Sequence, residues 1–166
     1  MPKQIVFAAM TFLHDLATAI WIGGLITLGL TVLPTVRHTL GLGPQTRQLM
    51  DAIQRRLRVF IYISIVVLIV TGIVMSNRVA AYQGLFSFAN AYSTTLSIKH
   101  VLVILMVVVA LLRSVAVDRL RLEGPARERL SAALLMLNIV LGVLVLLASG
   151  YSAALSAGLP GAPQAP

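Results

Sequence analysis

The sequence predicts an all-α fold, a four-transmembrane-helix bundle with its N and C termini outside, and three observations lead there. Hydrophobic residues make up 58% of the 166, charged residues 11%, and the mean hydropathy is +0.95. Soluble domains average roughly 45–50% apolar, glycine included, and about 25% charged, so a water-soluble globule of this composition would lack the polar surface to cover itself. The apolar residues also gather into four runs, each reaching the ~17 to 25 residues that a helix needs to cross a bilayer. Finally, the basic residues lie between those runs and are unevenly shared.

The first run extends from Ile5 to Pro34 and is broken only by His14 and Asp15. It is too long for the apolar core of a secretory signal and lacks a convincing small-residue cleavage site, so it reads as a spanning helix. Gly41, Gly43 and Pro44 then make a turn. From Gln45 to Arg58, Leu49, Ile53 and Leu57 fall at helical spacing, which extends the second helix outward from its uncharged run, Val59 to Ser76. Loop two, Asn77 to Thr95, mixes Tyr82, Phe86, Phe88 and Tyr92 with polar residues, a composition suited to a segment lying at the outer membrane interface. The third span is expected from about Leu96 to Leu112 and the fourth from about Ser131 to Leu155. Residues 1–155 thus form one four-helix membrane domain, and 156–166, rich in Ala, Gly and Pro, a flexible tail. Two helical hairpins with basic tips hint at duplication, although residue-level similarity between them is slight.

Basic loops resist translocation, so their distribution sets orientation. Loop one holds Arg37, Arg47, Arg55, Arg56 and Arg58, and loop three with its flanks holds Arg113, Arg119, Arg121, Arg127 and Arg129, ten in all against Lys3, Arg78 and Lys99 on the other side. Loops one and three are therefore expected in the cytoplasm. The net charge of +8 and sequence pI near 11.2 do not call for nucleic acid, which would need a basic face on a soluble fold. The absence of cysteine removes disulfides, thiolate metal sites, Fe–S clusters and cysteine nucleophiles.

An ionisable side chain inside a spanning helix costs several kcal/mol unless it is paired, ligated or wetted. Only His14, Asp15, Lys99 and His100 qualify. With the termini outside, the first and third helices run parallel, and at ~1.5 Å per residue their histidines reach similar depths in the outer half of the bilayer. Two neutral histidines from facing helices of a bundle can supply both axial ligands of a haem. Ala17, Thr18, Gly23 and Gly24 leave room for a flat macrocycle, Trp21 can stack on it, and Thr71–Gly72 offers close backbone approach from the second helix. Lys99 can neutralise a haem propionate while snorkelling outward. Asp15 points about 100° from His14 and is expected toward water or a neighbouring subunit. Competing readings stand beside these. His14 can be a hydrogen-bonding contact between helices, and His100 with Lys99 an interfacial pair. Met10, one turn before His14, is most often core filler, but its thioether with an imidazole can bind Cu(I).

His14 followed by Trp21-Ile22-Gly23-Gly24-Leu25 and Val32-Leu33-Pro34 resembles the first helix of the copper-resistance D (CopD) membrane domain. Thr71–Gly72 resembles the end of that family's second span, and Leu96 to Arg113, with Lys99 near its start, its third; the likeness runs from about Phe12 to Leu155. The resemblance implies copper handling at the inner membrane. More distantly the chain is similar to the HemJ-type haem-associated membrane proteins, which share a first-helix histidine seven residues before a tryptophan, matching His14 and Trp21. Their Pro-Arg and Tyr-His pattern is missing here, which argues against that enzymatic reaction. His100 does not carry over from CopD and rests on the depth argument.

The function expected from sequence is a bis-histidine b-type haem protein of the bacterial cytoplasmic membrane, an electron-transfer or transport protein rather than a stand-alone enzyme. It would move electrons at the outer side between quinone and an extracytoplasmic partner, with His14 and His100 as axial ligands. The first alternative is copper transport, with Met10, His14 and either Asp15 or His100 forming a transient site. The second is a small accessory subunit, in a homo-oligomer or beside other membrane subunits, whose histidines only pack.

Overall fold

A computed structural model describes residues 2–41, 43–76, 84, 86–119 and 125–157. Among them, all regular secondary structure is helical, and four helices are long and apolar enough to cross a membrane: Lys3–Leu40, Pro44–Met75, Ala91–Ser114 and Glu128–Ser156. The protein is an all-α, multi-pass membrane protein. The chain divides into two compact units, Met1–Asn77 and Arg78–Pro166.

In the first unit, one helical rod is built from α1 (Pro2–Thr18), a π-helical stretch Ala19–Gly23, a single turn α2 (Gly24–Ile26), a second π-helical stretch Thr27–Val32, and α3 (Leu33–Leu40). It packs along α4 (Pro44–Ser76). The π turns follow from the spacing of the buried residues. Ala17, Trp21, Leu25 and Gly29 are all buried and lie four positions apart. In a regular α-helix each such step drifts by about 40°, and the row would wind off the contact face. The wider π turn takes up the drift. Pro34 sits in the first turn of α3, just after the second π stretch. The α-helical ladder is already re-routed there, so its missing N–H does little harm. Gly24 faces α4 closely: a Cβ there would come within 2.9 Å of Leu57 Cδ1. The rod ends at Gly41, whose φ of 69° and ψ of −164° suit glycine alone. The Gly41 N–H donates to the Arg37 carbonyl (3.0 Å), and the Thr46 hydroxyl at the start of α4 donates to the Gly41 carbonyl (2.8 Å). As expected, Gln45–Arg58 is continuous with the second span.

In the second unit, α5 (Ala91–Arg119) and α6 (Pro125–Ala157) form an antiparallel hairpin. Arg113 Nε donates to Ser131 Oγ (3.3 Å), which fixes the register. Stepping away from that pair along both helices brings Val109 level with Leu135 and Met106 level with Asn138, and all four are buried. The third helix starts five residues earlier than the apolar run suggests, so Ala91–Thr95 is helix rather than interfacial loop. Asn90 explains this by accepting the Ser93 N–H on its Oδ1 (2.7 Å), an N-cap. The Thr95 and Ser97 hydroxyls are satisfied by the carbonyls of Ala91 (2.8 Å) and Ser93 (2.9 Å), so polar residues stay in the helix. α6 likewise runs to Ala157, taking Ser156 and Ala157 out of the expected tail. The rest of that tail, 158–166, the aromatic Tyr82 of loop two and Arg121 of loop three lie outside the described residues.

Candidate metal centre

His14 lies one turn before the end of α1, half-buried, with its ring turned to α4. Its Nδ1 is 2.8 Å from Thr71 Oγ1. The Thr71 hydroxyl has one proton, and the Val67 carbonyl one turn back takes it at 2.7 Å. The oxygen of Thr71 is therefore an acceptor toward the imidazole, and His14 must donate from Nδ1. That assignment fixes the tautomer: in the neutral ring Nε2 carries the lone pair. A histidine whose other nitrogen is held by a hydrogen bond is how metal-ligating imidazoles are oriented.

Gly72 completes the arrangement. A Cβ built on it would stand 3.8 Å from His14 Cε1, so the ring lies along the bare backbone of α4. Thr18 donates to the His14 carbonyl at 2.9 Å, directly before the first π stretch. Met10, one turn earlier than His14 on the same helix, is half-buried; residues four apart share a helix face, so its thioether lies on the side of the imidazole. Asp15 is exposed and does not converge with them.

Trp21 occupies the first π stretch, with 2% of its surface accessible, and its Nε1–H has no acceptor among the described residues. It is sealed into the helix contact, so the expected stacking on a cofactor finds no exposed ring face. Lys99 and His100 belong to the other unit, on α5, both half-buried. The His100 imidazole is met edge-on by Phe86, ring centroids 6.4 Å apart and planes at 60°. Ser87 holds Phe86 near α5: its N–H donates to Ser97 Oγ (3.0 Å), and that hydroxyl faces the Ser87 carbonyl at the same distance.

Thr71 is the residue whose role the sequence did not reveal. A threonine in an apolar span reads as packing, and only the fold shows it opposite His14. Among the described residues no group of three or more His, Asp or Glu side chains could hold a metal ion. Any metal in the first unit would rest on few ligands of the imidazole and thioether kind, a set that suits Cu(I) better than harder ions.

Among known families, the one described as copper resistance protein D matches residues 51–152. The match takes in Thr71, Lys99 and His100, and begins after Met10, His14 and Trp21. No curated protein and no solved structure matches.

Proposed function

Because this chain belongs to the copper resistance protein D family, we propose that it carries copper across the bacterial cytoplasmic membrane, with His14 as a ligand that receives the ion as Cu(I) in the outer half of the bilayer. The observation that supports this reading is the chain of hydrogen bonds from His14 Nδ1 through Thr71 to the Val67 carbonyl, which puts the lone pair of the neutral ring on Nε2. Met10 adds a soft thioether one helical turn away. Copper is here the cargo, and a site of few ligands suits it: an ion that must leave again is better served by imidazole and thioether than by a closed cage. The distribution of basic residues favours an outward N-terminal half of α1, and in that orientation the ion would meet Met10 before His14.

The same lone pair could ligate a haem iron, and one measurement separates the two. The purified full chain is titrated with Cu(I) against a chromogenic chelator, and its visible spectrum is recorded oxidised and reduced after expression with haem supplied. Copper transport predicts tight Cu(I) binding, weakened by H14A and by M10L, with no Soret band. A Soret band that H14A or H100A abolishes or shifts, without Cu(I) binding, would replace this reading by the b-type cytochrome.

A further inference from the structure

His14 and Asp15 are neighbours in sequence and part company in space. The imidazole turns inward to Thr71, while the Asp15 carboxylate lies on the exposed side of α1, as the ~100° between consecutive helix positions requires. It makes no ion pair or hydrogen bond with any described residue. Its depth follows from its neighbour. The His14–Thr71 bond sets that level of α1 beside a residue five positions before the end of α4 at Ser76, about 7 Å inside the end of the helix at ~1.5 Å per residue. Around it the same surface shows large apolar side chains, Phe12 64% and Leu16 42% accessible.

A carboxylate held among Phe and Leu at that depth is costly against lipid. Its side chain is too short to reach the headgroups as a lysine does, and a surface of Phe12 and Leu16 is a poor lining for water. A second copy of the chain on this patch would use the same residues on both sides, bringing two carboxylates into one apolar interface. The complement is a cation. We propose that the Asp15 face of α1 is an interaction surface for the transmembrane helix of another membrane protein that presents a lysine or arginine at the depth of Thr71. Phe12 and Leu16 supply the packing on either side of the ion pair. This inference does not depend on copper binding at His14, and either can fail alone.

The chain has no cysteine, so A153C, on an exposed position of α6, gives a single fluorophore site. The labelled full chain is reconstituted in phosphatidylcholine vesicles with synthetic Leu/Ala transmembrane helices that carry one Lys, Gln or Glu at the matching depth, and association is read by energy transfer. The lysine helix is expected to associate about tenfold more tightly than the glutamine helix. D15N should abolish that preference, D15E retain it, and D15K reverse it in favour of the glutamate helix, with helicity unchanged by circular dichroism. Equal association of the lysine and glutamine helices with the wild-type chain, or an undiminished lysine preference in D15N, would overturn the proposal. So would self-association of the wild-type chain that D15N removes, since the face would then belong to a second copy.

Discussion

His14 and Thr71 are useful to each other because a hydroxyl has one proton to give. With that proton committed to the Val67 carbonyl, Thr71 can only accept from the imidazole, and the ring has no choice of tautomer. T71V keeps the volume and removes the acceptor. The His14 N–H is then left unsatisfied in an apolar setting, a cost of about 1–3 kcal/mol, and Cu(I) affinity should drop by about tenfold or more, as losses of such supporting contacts do. T71S should stay close to wild type. Chelator competition gives the affinities, and nitrogen chemical shifts of the imidazole report the tautomer directly; equal affinity in T71V and T71S would refute the role. Gly72 sets a milder test. A methyl group there would meet His14 Cε1 at ordinary contact distance, so G72A should bind copper as the wild type does, while the bulkier G72L should displace the ring and weaken binding. Of this site, the sequence exposed only the half that is chemically odd. An ionisable residue in an apolar run advertises itself, but a threonine there does not. The interval of 57 positions between His14 and Thr71 is closed by the hairpin, and local pattern carries no trace of it.

At the level of helices, apolar runs were enough to find every span and helical spacing to join Gln45–Arg58 to the second, but neither finds the π turns, because a run that is apolar all round has no visible face. The burial of Ala17, Trp21, Leu25 and Gly29 at steps of four supplies what the composition concealed. A π turn holds one residue more than the α-helix it interrupts, so deleting the exposed Thr27 should return that stretch to α geometry and leave both flanks in place. Deleting the exposed Val66 from the unbroken α4 must instead rotate one side by about 100° against the other and separate Thr71 from the residues that fix α4 against α1. Size-exclusion profiles and thermal unfolding in detergent should show the first variant folded and the second not. The early start of α5 escaped notice for a different reason: Ser93 and Thr95 look like loop, and the Thr95 hydroxyl is satisfied inside the helix by the Ala91 carbonyl one turn back. At the turn before α4 the glycines divide. G41A, forced into a φ,ψ region reserved for glycine, should cost ~1–3 kcal/mol, whereas G43A, with open space around it, should unfold with the wild type.

For the whole molecule, composition settled the solvent: a chain with 58% hydrophobic and 11% charged residues is built for lipid, and the four helices have the length to cross it. Direction across the membrane rests on charge, ten basic residues against three. A periplasmic reporter such as alkaline phosphatase should be active when fused after Ala157 and inactive when inserted at Gly43, and a cytoplasmic reporter should give the opposite result. Reversed activities would place His14 in the inner leaflet and turn the proposed route of the ion around. Orientation is expected from sequence because basic loops resist translocation. The identity of the bound species is less legible there, since one imidazole nitrogen serves copper and iron alike.

α4 runs without interruption for 33 residues, some 50 Å at ~1.5 Å per residue, against a hydrocarbon layer of about 30 Å. The part of the helix beyond what a bilayer needs carries Arg47, Arg55 and Arg56, all exposed, at the end away from Thr71. No glycine, proline or π turn lies between Arg47 and Thr71 to absorb a twist. The helix is therefore one unbroken rod, and the arginine end and the hydroxyl that meets His14 belong to the same rigid element.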